Sequence, residues 1–385
     1  MSRVRIVADD LTGALDSAAA FNGPVPVLLG DPDCATSAPV AAASTATRDV
    51  PLETLPGRLA SWVEWLSGAA VPFKKIDSLL RGNTFAEIAY FVRAGGYRGA
   101  VFAPAFPALG RVTIDGRQCV VPPGKALAER QPVGAGTPAD AFTLFGFPTA
   151  RGSPRSEQAG NRPVVWIPDA ASDADLAAVA AASRASDASR WLWCGSGGLA
   201  HAIAAAHGLA AGPDPRVPQP RAGTVMVFSA SHHPVTRQQW EMLLAVESGA
   251  HFVTRANQVS LRTTLRALGH GLELALFDLS PSRTLAPDAA AERLARDMTQ
   301  IVRAGTRPAA LVVIGGDTLL TLCRAAGAVA LMAGASPRTG WGHARLSGGV
   351  WNDVPCYSRS GAFGDADDLA TMVRLLMRRT SNVEE

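Results

Sequence analysis

Val4-Arg5-Ile6-Val7-Ala8-Asp9-Asp10-Leu11-Thr12-Gly13-Ala14 stands near the start of the chain and decides how its fold is read. Val4–Ala8 is a short run with the look of a strand, and a helical pattern, Thr12–Phe21, follows it directly. Between them stand two adjacent aspartates. In open α/β sheets, ligands bind beyond the carboxyl ends of strands. Two neighbouring carboxylates there are costly unless a cation or a substrate proton engages them. One of them is explained as a helix cap, which satisfies free N–H groups and suits the helix dipole. The pair followed by Thr-Gly asks for a function.

The same alternation continues along the chain. Further strand candidates are Val25–Leu29, Val71–Lys75, Gly99–Ala103, Val164–Ile167, Trp191–Cys194, Thr224–Ser229, His251–Thr254, Glu273–Leu279, Ala309–Ile314 and Val354–Tyr357. Helical patterns lie between them at Thr84–Ala94, Ala174–Ala185, Pro234–Glu247, Ala289–Ala304 and Thr318–Ala326. Strands alternating with helices predict α/β architecture with mainly parallel sheets. The segment Gly212–Gly223 holds four prolines and two glycines in twelve residues and reads as a linker. It separates an expected N-terminal domain, 1–211, from a C-terminal domain, 224–385. Gly134–Arg162, rich in Gly, Pro, Ser and Ala, reads as a long surface excursion, a lid or a mobile loop.

The chain has 385 residues, and at roughly 150 per domain that also suggests two domains. Lys+Arg is 36 and Asp+Glu is 33, which excludes a strongly basic nucleic-acid binder. With 48% hydrophobic and 18% charged residues, the chain can bury sizeable cores. It has no apolar stretch long enough for a membrane span and no apolar N-terminal signal run. Cys34, Cys119, Cys194, Cys323 and Cys356 are odd in number, widely spaced and without a CxxC pair, which fits a reducing cytoplasm. Only three of the basic residues are lysines, Lys74, Lys75 and Lys125, so two standing side by side need a reason.

Lys74-Lys75-Ile76-Asp77-Ser78-Leu79-Leu80-Arg81-Gly82 follows a strand. Lys with Arg makes a clamp for a small carboxylate or phosphate, while Asp and Ser serve hydroxyl groups; the plainer reading is a surface ion-pair cluster. Ala103-Pro104-Ala105-Phe106-Pro107-Ala108-Leu109-Gly110-Arg111 again follows a strand, its prolines fixing a frame for Arg111. Gly195-Ser196-Gly197-Gly198 nearly matches a dinucleotide fingerprint but lacks the βα unit that should follow. Gly315-Gly316-Asp317-Thr318 and Ser360-Gly361-Ala362-Phe363-Gly364 are glycine turns that follow strands, and such turns expose N–H groups to phosphate. Ser231-His232-His233-Pro234 carries two histidines without a third ligand, so a nucleotide-contacting loop is preferred over a metal site. No P-loop is present.

Together these motifs resemble the four-carbon acid sugar kinases, a family also carried as a domain of unknown function. Its pattern runs ADDLTGA, a Ser-Arg pair, K-x-DS-x-LRG, APAFP-x-x-GR, GS-x-GLA, GS-x-x-x-x-T-x-x-Q, GG-[DE]-T and KSG-x-FG. This sequence resembles it in that order over nearly its full length. The resemblance implies two α/β domains with sites facing an interdomain cleft, the acid on the first and ATP with Mg²⁺ on the second. It implies Asp9, Arg48, Lys75, Ser78, Arg81 and Arg111 as acid-sugar contacts, and Asp10 or Asp77 as the base. Ser231, Gly315, Gly316, Asp317, Thr318 and Gly361 would hold the nucleotide. The implied reaction phosphorylates the terminal hydroxyl of a four-carbon acid. Gly315–Thr318 and His233-Pro234 lean it toward D-threonate or D-erythronate rather than the 3-oxo acid, with a homodimer as the candidate assembly. The sequence departs from the pattern at Thr47, Ala230, Arg359 and Ala362. Arg for Lys keeps charge but not geometry.

Two rival readings stand beside this one. A haloacid-dehalogenase-like or other phosphate-ester hydrolase would use Asp9 and Asp10, although the dehalogenase pair is spaced i, i+2 and these two are adjacent. A catalytically degenerate sensor would bind the acid alone, as the departures at 230, 359 and 362 suggest.

Overall fold

The computed structural model describes residues 3–32, 37–152, 162–212, 223–247, 251–254, 258–268, 272–281, 285–304, 306–335, 338 and 340–377. Cys34, the linker residues 213–222 and the stretch 153–161 lie outside the described residues. The chain forms two compact units, Met1–Gly212 and Pro213–Glu385.

The first unit runs β1 (Val4–Ala8), α1 (Leu11–Ala18), β2 (Val25–Leu28), β3 (Val40–Ser44), α2 (Leu55–Ser67), β4 (Val71–Lys75), α3 (Thr84–Ala94), β5 (Gly99–Ala103), β6 (Arg111–Ile114), β7 (Arg117–Val120) and β8 (Gln131–Pro132). It continues with α4 (Pro138–Leu144), β9 (Thr149–Arg151), β10 (Val164–Ile167), α5 (Asp173–Ala181), β11 (Trp191–Gly195) and α6 (Gly197–Ala206). Its main sheet is parallel throughout, in the order β2-β3-β1-β4-β11-β5-β10-β9. β1, β4, β5 and β11 are buried at every position. That is the condition of parallel strands covered by helices on both faces, and it leaves Arg5, Lys74 and Lys75 buried among otherwise mostly apolar positions. β6, β7 and β8 form a separate antiparallel sheet.

The strand order fixes where a ligand can bind. From β1 the chain goes first to β2 and β3 on one side, then to β4 on the other. Right-handed crossovers then send successive helices to opposite faces, and in such sheets ligands bind beyond the carboxyl ends of the two strands at the reversal, here β1 and β4. Asp9, Asp10, Asp77 and Ser78 follow those two ends.

The second unit runs β12 (Val225–Ser229), α7 (Pro234–Val246), β13 (His251–Thr254), α8 (Gln258–Leu268), β14 (Leu274–Asp278), α9 (Pro287–Ala304), β15 (Ala310–Ile314) and α10 (Gly316–Ala326). It ends with β16 (Ala330–Gly334), β17 (Gly342–Ser347), β18 (Pro355–Arg359) and α11 (Asp368–Met377). Its strands are ordered β13-β14-β12-β15-β18-β17-β16, with β17 antiparallel to both neighbours. The reversal lies at β12 and β15, so Ser231 and the Gly315 turn follow the two strands that flank it. The core gathers Val225, Val227 and Trp240 with Leu276, Val312, Tyr357 and Met372.

One expectation needs correcting. Gly134–Arg162 is not a single excursion. Thr137 and Asp140 cap α4 reciprocally, the Asp140 amide donating to Thr137 Oγ1 at 3.1 Å and the Thr137 amide to Asp140 Oδ2 at 2.9 Å. β9 then joins the sheet as an edge strand beside β10. Composition suggested a loop, but the capping box and edge pairing override it.

Gly99 sits at φ +151° where β5 passes β10, and a Cβ there would overlap the Val164 carbonyl oxygen. Gly99→Ala must part the two strands. It is expected to cost about 2 kcal/mol or more, which for a unit of this size lowers Tm by about 4–8 °C. An unchanged thermal unfolding curve contradicts this packing.

Candidate functional site

The site of the first unit is built on Arg48. Its Nε and Nη2 donate to the two oxygens of Asp9 at 2.8 and 3.0 Å, and its Nη1 donates to Asp10 Oδ2 at 2.7 Å. Asp10 also caps α1, its Oδ1 accepting from the Gly13 amide at 2.8 Å, while Thr12 Oγ1 donates to Oδ2 at 2.6 Å. The capping reading therefore accounts for one oxygen of Asp10 and leaves the other to Arg48 and Thr12. Burial by itself would raise the Asp9 carboxyl. Lys74, Arg48 and Lys75 outweigh it and hold the group below the usual carboxylate range. Burial also opposes the Arg48 charge, yet Asp10 and Asp9 raise its pKa.

The turn after β4 makes a second ion pair. Arg81 Nε and Nη2 donate to Asp77 Oδ2 and Oδ1 at 2.7 and 2.8 Å, and the amides of Leu79 and Arg81 both donate to Oδ2 at 3.2 Å. Burial would raise the Asp77 carboxyl, but the Arg81 hydrogen bonds and charge bring it to about 2. Leu80 sits at φ +57° and Gly82 at φ +75°, so Arg81 folds back over Asp77. A Cβ on Gly82 would lie 2.7 Å from both Cγ and the carbonyl oxygen of Arg48, so glycine lets the two loops touch. Asn83 Nδ2 ties them further, donating to the carbonyls of Thr47 and Val50 at 3.0 and 2.8 Å.

The two lysines part company. Successive strand residues face opposite sides of a sheet. Lys74 turns toward α3, where its Nζ lies 2.7 Å from Glu87 Oε2 and both side chains are buried. Lys75 turns toward α1. It is 6% exposed, and its ammonium has no hydrogen-bond or ion-pair partner among the described residues. A Cβ on Gly13 would lie 2.6 Å from Asp10 Oδ1 and 3.0 Å from Lys75 Nζ, so the glycine lets both side chains close on the start of α1. Arg111 is the other cation without a carboxylate. Its Nη1 donates to the Leu109 carbonyl at 2.5 Å, while its Nε is buried without an acceptor among the described residues. Burial lowers its pKa, partly offset by Asp77. Ser78 is held through its carbonyl, which accepts from Gln118 Nε2 at 2.8 Å; the buried Gln118 also accepts from Thr113.

In the second unit, a cavity of about 390 Å³ is lined at one end by Ala230, Ser231 and the Gly315–Thr318 turn. Its other wall is apolar, with Pro281, Pro287, Ala290, Ala291 and Leu294. Gly315 at φ +101° starts α10, so the first amides of that helix face the same cavity wall as Ser231. Gly361 is not part of the lining but backs it: a Cβ there would lie 2.9 Å from Ser231 Oγ. Arg359 does not reach the cavity. It is buried, pairs with Asp368 and Gln239, and stacks at 4.9 Å on the Trp341 ring. His232 bonds the Pro281 carbonyl and His233 Nδ1 accepts from the Val235 amide, so both histidines shape the loop. No group of three His, Cys, Asp or Glu among the described residues could hold a metal ion. No described helix is long and apolar enough to cross a membrane.

Sequence reasoning missed Glu87, Asn83 and Gln118. The alternation of β4 was the one available signal, since it sends Lys74 away from Lys75.

A parallel α/β unit with paired carboxylates and cations at its switch point, and a second with a glycine-turn cavity at its own, belong to a small-molecule enzyme. Residues 4–142 match the family model of a sugar-binding N-terminal domain. The chain is 30% identical to a D-threonate kinase of Cupriavidus necator, over 85% of this chain and 86% of that protein. It is 31% identical to a D-threonate kinase of Bordetella bronchiseptica, over 98% of each. Its fold matches the crystal structure of Haemophilus influenzae protein HI1011, of the DUF1537 family model, with a TM-score of 0.68 at 17% identity, over 97% of this chain and 100% of that one. The chain belongs to the four-carbon acid sugar kinase family. It is a kinase, a phosphotransferase with an alcohol group as acceptor.

The depressed Asp77 pKa has a consequence for acid stability. A carboxylate lowered in the folded state stabilises it above the unfolded pKa of about 4, and that contribution fades as pH falls through about 2. The difference in unfolding free energy between wild type and Asp77→Asn should therefore be widest above about pH 5. Urea titrations should show it narrowing by about 1 kcal/mol between about pH 5 and 3. A constant difference contradicts the ion pair.

Proposed function

We propose that the protein transfers the γ-phosphoryl group of ATP to the terminal hydroxyl of D-threonate or D-erythronate, with the acid on the first unit and the nucleotide on the second. Lys75 carries the reading. It is a buried cation with no hydrogen-bond or ion-pair partner among the described residues, set against the Gly13 backbone. A buried charge of this kind calls for an anion, and the carboxylate of a small acid supplies one. Arg48 and Arg81 are already committed to aspartates, so the carboxylate clamp falls to Lys75 with Arg111. Ser78 serves the substrate hydroxyls.

In the reaction, the hydroxyl oxygen of the acid bonds to the γ-phosphorus, the bond to the ADP oxygen breaks, and the hydroxyl proton passes to a carboxylate. Asp77 is poorly suited to take it, holding four donors and a pKa near 2. Both remaining aspartates have their oxygens engaged, and exposure separates them: Asp9 is only 3% exposed, whereas the Asp10 side chain is 15% exposed. Asp10 is therefore assigned as the base, and Asp9 with Arg48 holds it in place.

The second unit suits a nucleoside triphosphate. The apolar wall of Pro281, Pro287 and Ala290 accepts a base, and the α10 amides with Ser231 meet phosphate oxygens. Asp317 lines the same cavity and fits Mg²⁺, which takes one or two carboxylates and completes its shell with water and phosphates. When bound, Mg²⁺ neutralises charge on the phosphate oxygens. Arg359, retracted onto Asp368 and Gln239, is left as a structural group.

Steady-state turnover with ATP–Mg²⁺ and D-threonate tests the assignment. Lys75→Met should raise KM for the acid about ten- to a hundredfold, the worth of a charged hydrogen bond, and leave KM for ATP within about twofold. Asp10→Asn keeps the helix cap and should lower kcat by about 10²–10⁴-fold at unchanged Tm. Wild-type acid affinity in Lys75→Met refutes the clamp. Near-normal kcat in Asp10→Asn removes the base.

A further inference from the structure

The pair beneath the site serves no obvious need of stability. Lys74 and Glu87 are both essentially out of solvent, and a buried ion pair is often no better for stability than apolar residues of the same volume. The Lys74–Glu87 contact is ionic, while Lys74 Nζ spends a hydrogen bond on the Lys75 carbonyl at 3.0 Å. The other Glu87 oxygen, Oε1, accepts from Thr47 Oγ1 at 2.8 Å. Thr47 is fully buried and also lies 2.6 Å from Thr45 Oγ1, whose hydroxyl donates to the Ala8 carbonyl at 3.0 Å. The Thr47 amide donates to the Asp9 carbonyl at 2.9 Å. One buried cluster thus ties the ends of β1, β3 and β4 to α3. Directly before Thr47, Ala46 is held at φ +51°, a conformation that a non-glycine residue keeps only where its surroundings impose it. Directly after it comes Arg48, the guanidinium that spans Asp9 and Asp10.

We infer that Thr47 is a positioning residue: its hydroxyl, anchored on Glu87, holds the strained turn that aims Arg48 at Asp9 and Asp10. The part of this that concerns catalysis rests on the first unit being the acid site. Removal of the hydroxyl leaves Glu87 Oε1 without its donor and frees the turn at Ala46, so Arg48 loses its fixed approach. Serine supplies the same hydroxyl and should serve equally.

The test pairs Thr47→Val with Thr47→Ser. In Thr47→Val, kcat per titrated active site should fall about tenfold, because Arg48 no longer holds the base Asp10, while KM for ATP stays within about twofold, and Thr47→Ser should restore wild-type values. A hydroxyl that merely stabilised the fold would lower Tm and the active fraction and leave kcat per titrated active site unchanged; that result overturns the inference. Crystal structures of the two variants give a reading independent of substrate. Arg48 should leave Asp9 in Thr47→Val and stay in Thr47→Ser. Arg48 still spanning both aspartates in Thr47→Val overturns the inference whatever the kinetics. Arg48 displaced in that variant, with a wild type that binds no four-carbon acid, supports the positioning role and instead sinks the functional reading. Where Thr47→Val does not fold, Glu87→Gln replaces it: the amide still accepts from Thr47, so Arg48 should remain on Asp9, and its departure overturns the inference.

Discussion

Everything at the first site depends on a topological constraint, the reversal of strand order beside β1. Parallel strands joined by right-handed crossovers leave a crevice only where successive connections turn to opposite sides. Asp9 and Asp10 leave β1 there, and Lys75 and Asp77 leave β4. The register pairs Ala8 with Lys75, so the two loops start level with one another. The second unit repeats the arrangement at β12 and β15, where Ser229 and Ile314 are partners and the Ser231 loop and Gly315 turn begin.

Given that crevice, the charges sort themselves by what each can reach. Three aspartates within a few ångströms of the same guanidinium and ammonium groups would repel one another in a half-dry site. Arg48 and Arg81 offset two of the three charges with paired hydrogen bonds, and Lys75 acts on Asp9 and Asp77 through space. The backbone is bent to make this happen, at Ala46 before Arg48 and at Leu80 before Arg81, both in the left-handed region. Strain of this kind, held by surrounding bonds, is characteristic of sites that must be rigid before a ligand arrives. The cations without a hydrogen-bonded carboxylate among the described residues are Lys75 and Arg111. Four cations face three aspartates, and an anionic substrate supplies the missing negative charge.

The strands buried on both faces were the legible part of the fold. β5, β12 and β15 show as apolar runs because helices cover both sides of them, and β1 and β4 show despite Arg5 and the two lysines. β3 did not show, because Val40–Ser44 is mostly alanine and lacks the branched residues that mark a strand. α2 was hidden by Pro56 and Gly57 in its first turn, although Leu55, Leu59, Trp62 and Leu66 bury one face at helical spacing. Of the site, each motif could be placed at a strand end, but its pairings could not. Arg48 meets Asp9 from 39 positions away, and Glu87 reaches Thr47 across 40, distances that only the folded sheet closes. Arg359 shows the same limit. As a substitution for lysine it suggested a phosphate contact of altered geometry, whereas Trp341, Asp368 and Gln239 draw it into the core.

The central claim is that the acid is held at the carboxyl ends of β1 and β4 by the cations that no aspartate has taken. A crystal structure of the wild-type protein soaked with D-threonate tests it most directly. The account predicts the carboxylate within hydrogen-bond distance of Lys75 Nζ and Arg111, with the Arg48–Asp9 and Arg81–Asp77 pairs intact. An acid bound in the cavity beside Ser231 and Gly315, or one that engages Arg81 and leaves Lys75 bare, contradicts it.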